Sequence, residues 1–244
     1  MSDATHPLSG LVQHLRLRTA LTDEDCAAIK GLSWAVRTLE PSTYIVREGD
    51  PPTRCGVLVS GYAYRQKQTR EGNRQIVAIQ IPGEPLDVQH LYLDVADHSV
   101  QMLTRGDVAF VPRADLEALA LSHPAIARAL MMNVLVDASI FREWVLNVGR
   151  RDARTRMSHL LCEFFVRIQA AGLAAGDGYE LPINQEQLAD ALGLTPVHVN
   201  RTLKALEADG VIERRKRSLA FPSWERLREA ADFNARYLHL PSQA

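Results

Sequence analysis

The chain has 244 residues, of which 46% are hydrophobic and 23% are charged, and its formal net charge is −1. This is the composition of an ordinary globular protein with room for one large domain or two modest ones. The molecule as a whole is not a polycation, so any affinity for nucleic acid must come from a local basic patch.

The three cysteines, Cys26, Cys55 and Cys162, are far apart, and no Cys-x-x-Cys pair is present. An odd number of cysteines argues against a disulfide framework and favours a reducing, cytoplasmic compartment. A zinc or iron–sulfur site made of cysteines has little support. The N-terminus lacks a signal pattern, and no apolar run approaches the length of a membrane span, so we expect neither export nor membrane binding.

Short apolar runs separated by turn residues fill the chain from about residue 34 to residue 112. Before them, Thr22 and Asp25 form a capping box that predicts a short helix, while residues 1–20 carry no strong pattern. The predicted strands are YIV (44–46), VLV (57–59), YAY (62–64), IVAIQI (76–81), VQML (100–103) and VAFV (108–111). Many short strands at regular spacing predict an antiparallel roll or barrel of the jelly-roll kind.

A long helix is predicted from Ala125 to about Val148, after a short one at 114–121. One stripe of this helix repeats near 3.5 residues and comprises Leu130, Val134, Asp137, Phe141, Trp144 and Val148. The stripe could pack on the β-roll of the same chain or pair with the same helix of a second copy. Asp137 could set the register of the paired helices or be exposed at the edge of the stripe. We favour pairing, because helix-turn-helix proteins usually read two-fold sites as dimers. Gly149 marks a junction between domains 1–149 and 150–244.

After an amphipathic helix at 157–170, the segment NQEQLADALGLTPVHVNRTLKAL (184–206) predicts two short helices separated by a tight turn. Asn184 and Gln187 form a capping box, and Gly193 suits the turn. Thr195 and Pro196 begin a second helix, Thr195–Glu207, with a buried apolar stripe. This is a helix-turn-helix, and the side chains left free to meet DNA are Thr195, His198, Asn200, Arg201 and Lys204.

A basic hairpin follows the second helix. Val211-Ile212 and Leu219-Ala220-Phe221 are predicted strands, joined by the four cations Arg214, Arg215, Lys216 and Arg217. Such a hairpin is typical of a wing that lies along a phosphate backbone. An ordinary helical hairpin with a solvated charge run is the alternative, but the two features together favour DNA binding.

The order of these elements resembles the Crp/Fnr family of bacterial transcription regulators. The resemblance covers about Leu21 to Phe221 and rests on IVREGDPP, VLVSGYAYR, GNRQIVAIQIPGE, GRRDARTRMSHLLCEF and the helix-turn-helix itself. It implies an α+β fold, with a cyclic-nucleotide-binding-like β-roll, a long dimerisation helix and a winged helix-turn-helix. It also implies a homodimer whose effector repositions the DNA-binding domains, with double-stranded DNA and RNA polymerase as partners.

The chain departs from the cyclic-AMP-binding members of that family in its phosphate-binding cassette. The cassette starts at Gly83-Glu84, but the position of the ribose-binding glutamate is Val88, and the Arg-Ser pair is replaced by His98-Ser99. Neither valine nor a neutral imidazole offers the missing contacts, so we do not expect control by cyclic AMP, although a cyclic-nucleotide-dependent regulator stays an alternative. Only Cys26 lies near the N-terminus, which disfavours an iron–sulfur switch. We expect no cofactor, and the sequence leaves open whether the protein has a small effector and what it is.

Three residues have both a structural and a sensing interpretation. His90 and His98 lie in the predicted effector pocket, together with Glu84, Val88 and Ser99, and could ligate a metal or haem or respond to pH. Hydrogen-bonded structural histidines are the more common case. Cys162 is expected to be a small buried hydrophobe rather than a redox sensor.

The resemblance also suggests how DNA is read. Arg201 aligns with the arginine on which most of the family relies, and it can contact guanine O6 and N7 together. Val197 stands where better-known relatives have a glutamate, and it offers only an apolar contact to a thymine methyl. A metal-dependent β-barrel enzyme is the rival from another class. It would need a His-x-His cluster with a nearby carboxylate, which the sequence lacks, so we expect no enzyme and no metal.

Overall fold

A computed structural model describes residues 6–174, 178–215 and 218–241, with the backbone alone at Arg215. The described residues pack into two compact units. The first comprises Met1–Lys67, Ala78–Ala138 and His239–Ala244, as far as they are described, and the second comprises Gln68–Val77 and Ser139–Leu238. The division falls within the long helix rather than at Gly149, where the sequence analysis places it.

An antiparallel β-roll forms most of the first unit and confirms the predicted fold class. The strands of the roll are β1 (Ala35–Leu39), β2 (Tyr44–Val46), β3 (Arg54–Leu58), β4 (Ala63–Gln68), β5 (Arg74–Gln80), β6 (Ser99–Met102) and β7 (Gly106–Pro112). Gln68 of β4 and residues 74–77 of β5 belong to the second unit. They form a sheet in the order β1-β7-β3 and a second in the order β2-β6-β4-β5. Leu58, Val100 and Val108 from the two sheets pack in one buried apolar cluster, so this part of the core lies between the sheets.

The helices of the first unit are α1 (Ser9–Arg16), α2 (Asp23–Lys30), α3 (Arg113–Ser122) and the first part of α4 (Pro124–Arg150). The predicted capping box of α2 is confirmed, because Thr22 and Asp25 exchange backbone and side-chain hydrogen bonds. The sequence analysis missed α1, although Leu8, Leu11 and Leu15 recur at helical spacing and are buried. A short 3-10 helix, Val88–Leu91, lies between β5 and β6.

The length and composition of α4 would by themselves allow it to cross a membrane. The expectation that no apolar run approaches that length is therefore wrong for this helix. The core helix of a soluble protein passes the same test, so the test by itself does not place the protein at a membrane.

The second unit continues through α5 (Ala153–Ala170), β8 (Gly178–Glu180), α6 (Gln185–Leu192), α7 (Pro196–Ala208), β9 (Glu213–Arg215), β10 (Ser218–Ala220), α8 (Trp224–Ala231) and a 3-10 helix, Ala235–Leu238. Its small sheet has the order β8-β10-β9. Val211 and Ile212 were predicted to form a strand, but the strand β9 begins only after them, at Glu213. Both side chains are buried and pack in the core of this unit. On α5, Cys162 is fully buried and burial raises the pKa of its thiol, which confirms it as a small buried hydrophobe.

Candidate nucleic-acid interface

The helix-turn-helix is defined by hydrogen bonds at the ends of its two helices. Asn184 and Gln187 each accept the other's backbone N–H, at 2.9 and 3.0 Å, so the predicted capping box of α6 is confirmed. Gly193 ends α6 with a φ of 62°, a left-handed conformation that glycine adopts without steric cost. Thr195 caps α7, and Pro196 occupies the first helical position. The geometry of the turn is therefore determined by hydrogen bonds and backbone preferences of neighbouring residues.

One face of α7 is buried and gives the helix a rigid support. Val199, Leu203 and Leu206 are all buried, as are Leu188 and Leu192 of α6. Below them, an aromatic cluster joins α5, the small sheet and α8, and its members are Phe164, Phe165, Tyr179, Phe221 and Trp224. A helix held in this way can present its opposite face without rearrangement, which precise recognition requires.

The opposite face of α7 lines a shallow, open groove. Its lining residues are Gln185, Pro196, Val197, Asn200, Arg201 and Lys204. Val197 is 80% exposed, so this apolar side chain at the start of the helix makes little contact with its own chain. Four of the six were predicted from sequence. Pro196 was assigned only to the start of the second helix, and Gln185, the first residue of α6, was not predicted.

Polar contacts orient two of the groove residues. His198 Nε2 accepts a hydrogen bond from Nη2 of Arg201, which leaves other N–H groups of the guanidinium free to donate. Asn200 donates from Nδ2 to Oε1 of Gln185 at 3.4 Å. The predicted base-reading side chains are thus held against neighbours on the same surface, with Arg201 itself exposed.

The predicted wing is described only in part. Arg214 on β9 donates to the Glu207 carboxylate from Nε at 3.1 Å and from Nη2 at 2.6 Å. Its charge is therefore engaged by the end of α7, which reduces its availability to a phosphate. Lys216, Arg217 and the side chain of Arg215 lie outside the described residues.

The residues predicted for an effector pocket are largely engaged within the first unit. Glu84 is buried and accepts a backbone N–H at 3.1 Å, and the Ser99 hydroxyl accepts another at 3.0 Å. Val88 is buried in the apolar core. The structure brings His90 and His98 together and adds Asp87, a fully buried carboxylate that sequence analysis did not select.

The stripe of α4 that we expected to meet a second copy is partly used within the chain. Leu130 is buried in the core of the first unit. Trp144 is buried too, and its indole N–H donates to the Glu163 carboxylate of α5 at 3.0 Å. Asp137 accepts from Arg65 of β4 at 2.8 Å. The predicted contacts with a second copy are therefore wrong for Leu130 and Trp144, which are buried within the chain. Val134, Phe141 and Val148 are half-buried.

A neighbouring stripe of α4 is the exposed apolar one. Met131 and Leu135 are 53% and 54% exposed, and Val145 and Leu146 are 73% and 44% exposed. Positions 131, 135, 138, 142 and 145 are separated by alternating steps of four and three, so they share one helix face, which is apolar except for Arg142. Sequence periodicity predicted an apolar stripe on α4, and the stripe that is exposed lies beside the predicted one.

Two family models match the chain, one on each side of α4. The model of the Crp-like helix-turn-helix domain matches residues 155–230, and that of the cyclic nucleotide-binding domain matches residues 36–123. The chain belongs to the Crp/Fnr family of transcription regulators. This Crp/Fnr protein is accordingly a DNA-binding regulator. The predicted family and fold are confirmed. Its relatives are transcription factors rather than enzymes.

Known relatives of this Crp/Fnr regulator cover most of its length. It is 26% identical to the transcriptional activator protein FnrL of Cereibacter sphaeroides, over 90% of this chain and 89% of that protein. It is 24% identical to the transcriptional activator protein anr of Pseudomonas aeruginosa, over 81% of each. Its fold is similar to that of FixK2 from Bradyrhizobium japonicum, with a TM-score of 0.73, 23% identity and coverage of 82% of this chain and 98% of that one.

Proposed function

We propose that this regulator binds a palindromic operator as a homodimer, inserts α7 into the major groove, and is not controlled by cyclic AMP. The observation that carries the proposal is the exposed polar face of α7, with Arg201 at its centre, on a helix whose other face is buried. In helix-turn-helix proteins the second helix enters the major groove and its N-terminal residues contact base edges.

Dimerisation is supported by the exposed apolar stripe of α4. Met131, Leu135 and Val145 lie at heptad-like positions of a helix of 27 residues, long enough for several turns of coiled-coil packing. An isologous pairing of this face with its copy would remove these side chains from water and place two α7 helices in a two-fold arrangement. We therefore replace the stripe inferred from sequence by the one containing Leu135.

Independence from cyclic AMP is supported by the groups that the predicted pocket offers. Val88 is a buried aliphatic side chain where a carboxylate would bind the ribose hydroxyl, and Ser99 already accepts a backbone N–H. The imidazole of His98 is paired with Asp97 at 2.6 Å and lacks the bidentate fork of a guanidinium. A regulator that does respond to a cyclic nucleotide is the second candidate, because a cyclic nucleotide-binding domain model matches residues 36–123.

Two further features of the proposal concern where and with what the protein acts. Both relatives described above are named transcriptional activators, and on that basis we propose that this regulator activates transcription through contact with RNA polymerase in the cytoplasm. We propose no bound cofactor; a small effector other than cyclic AMP is compatible with the proposal.

Selection of bound sites from random DNA duplexes tests the proposal directly. The expected product is a two-fold symmetric site with half-sites about one helical turn apart, roughly 34 Å. The same site should be enriched equally with and without added cyclic AMP. Enrichment of a single asymmetric half-site would contradict the dimer, and a site recovered only with the nucleotide would establish the second candidate.

The wing is expected to contribute affinity without specificity. Replacing Arg215 and Lys216 by alanine together should weaken binding to every duplex and reduce the slope of log affinity against log salt by about 2, since each phosphate contact contributes roughly 0.9. Gel-shift titrations over a range of salt concentrations measure this slope. A changed sequence preference with an unchanged slope would show that these residues read bases instead.

A further inference from the structure

Three titratable side chains share a buried space in the first unit. Asp87 and His90 are fully buried, at the start of the 3-10 helix, and His98 is 9% exposed, just before β6. One carboxylate oxygen of Asp87 lies 3.7 Å from His90 Nδ1 and 3.8 Å from His98 Nε2, and the two imidazole rings are stacked with centroids 5.9 Å apart. We refer to Asp87, His90 and His98 as the buried triad.

The triad lacks hydrogen bonds that its burial would normally require. Neither carboxylate oxygen of Asp87 and neither ring nitrogen of His90 has a hydrogen-bond partner among the described residues. A buried polar group left in this state destabilises the fold, and native proteins contain few of them without a functional or structural reason. The triad therefore calls for a bound species that satisfies these atoms.

A proton is the species that fits the hydrogen bonding. His98 Nδ1 lies 2.6 Å from the Asp97 carboxylate, so it carries the ring proton. The lone pair of Nε2 faces Asp87 and also the amide of Gln89, which lies 3.5 Å away. An ionised Asp87 would face this lone pair acceptor to acceptor. A protonated Asp87 has an O–H to donate to an imidazole nitrogen after a movement of less than about 1 Å. No group of three His, Cys, Asp or Glu side chains in the described part of the chain is arranged to hold a metal ion.

Electrostatics place the proton on the carboxyl group. Burial raises the pKa of Asp87 to about 6, against the opposing charge of Arg65. Burial also lowers the pKa of His90 to about 4. The pKa of His98 is lowered as well, first by burial and then by the positive charge of Arg65. The other groups that face the triad are Lys67 of β4, Asp97, Arg113 of α3 and the thiol of Cys55 on β3, which burial keeps neutral by raising its pKa to about 12.

Arg65 connects the triad to α4. Its side chain is buried and donates from Nε and Nη2 to the carbonyl oxygen of Leu86, at 3.1 and 2.8 Å, next to Asp87 in the chain. Its Nη1 donates to Asp137 of α4 at 2.8 Å. Arg65 also interacts electrostatically with Asp87 and Glu84, so the net potential that Asp137 experiences becomes more positive when Asp87 loses its charge.

We propose that Asp87, His90 and His98 form a buried proton-binding site whose occupancy sets the strength of the Arg65–Asp137 contact to α4. An ionised Asp87 competes with Asp137 for the positive charge of Arg65. Proton uptake by Asp87 removes that competition and strengthens the contact to the helix. The first unit thereby carries a response to pH that is independent of any nucleotide.

The sign of the pH effect follows from the raised pKa of Asp87. The proton binds the folded unit more tightly than the unfolded chain, so Asp87 contributes stability at low pH and loses that contribution as pH rises through about 6. The lowered pKa values of the two histidines act in the opposite sense as pH falls below about 6.5. Comparison of an Asp87 variant with the wild type at the same pH separates the contribution of the Asp87 carboxyl to stability from that of the two histidines.

The test uses Asp87→Asn, whose amide donates a hydrogen bond as the protonated carboxyl would. Hydrogen exchange of β4 and β6 amides in the intact protein reports the opening of the first unit. At pH 8 the variant should open about 10- to 100-fold less often than the wild type. The difference should shrink as pH falls below about 6 and vanish below about pH 4, where aspartate is protonated in the unfolded chain as well. An exposed control, Asp50→Asn, should show no such dependence. A difference between Asp87→Asn and wild type that is the same at both pH values would overturn the proton site.

The link to α4 has its own test at a single pH. At pH 8, Asp137→Asn should increase opening by a larger factor in the Asp87→Asn background than in the wild type, because in the wild type the charge on Asp87 repels Asp137 and still offsets part of the charge of Arg65 when Asp137 is lost. Equal factors in the two backgrounds would show that Arg65 does not carry the coupling. If Asp87→Asn failed to fold, the carbonyl stretch of a protonated buried carboxyl in the infrared spectrum of the wild type should grow as pH falls through 6, and its absence would overturn the site.

Discussion

Replacing Arg201 by alanine is expected to abolish the preference of the protein for its operator while leaving much of its affinity for unrelated DNA. Arg201 is exposed on α7, and its remaining N–H groups can donate to guanine O6 and N7 at once. Such a contact contributes roughly 1–3 kcal/mol of discrimination per half-site, which corresponds to about 5- to 150-fold. Competition gel shifts with the selected operator and a scrambled duplex measure the ratio of the two affinities.

The controls for this prediction separate charge from geometry. Arg201→Lys keeps the charge but loses the planar fork, so it should lose almost as much discrimination as alanine. His198→Ala removes the acceptor that orients Arg201 and should have an intermediate effect. Arg37→Ala removes one cation from exposed β1 and should change nothing. If Arg201→Ala lowered the affinities for operator and scrambled DNA by the same factor, Arg201 would be a phosphate contact and our assignment would be wrong.

Features determined by a few neighbouring residues were predictable from sequence. The capping boxes at Thr22 and Asn184, the left-handed Gly193 and the N-terminal Pro196 all depend on contacts within four residues. These signals gave both helices of the helix-turn-helix nearly to the residue. The strands of the roll other than β1 were predictable for a similar reason, since turn residues separate short apolar runs. β1 (Ala35–Leu39) was not predicted, and most of its side chains are exposed.

Features determined by distant parts of the chain were not predictable in the same way. Helical periodicity shows that α4 has apolar stripes, but only the packing shows that Leu130 and Trp144 face the chain itself and that Leu135 does not. The burial of Asp87 is similar: it lies between Leu86 and Val88, and a carboxylate in an apolar segment was a signal that sequence analysis overlooked. Only the fold shows that its carboxylate oxygens have no hydrogen-bond partner among the described residues and that His98 lies 3.8 Å away.

The second large effect is expected from Leu135→Asp on α4. In a symmetric dimer the two copies of this residue would face each other near the two-fold axis, so the change places two like charges in an apolar seam. The protein should sediment as a monomer, and its affinity for the palindromic operator should fall by about 10²- to 10⁴-fold, because each α7 would then bind its half-site without the other. Analytical ultracentrifugation and gel-shift titration measure the two consequences.

A matched control distinguishes loss of the dimer from a general effect of an added charge. Leu121→Asp makes the same change at a leucine of α3 that is 80% exposed and outside the α4 stripe, and it should leave both mass and affinity unchanged. Since Leu135 is 54% exposed, its replacement should also leave the fold of the protomer intact, as judged by circular dichroism. A Leu135→Asp protein that remained dimeric and bound its operator normally would show that the seam lies elsewhere, and the paired α4 helices would have to be abandoned.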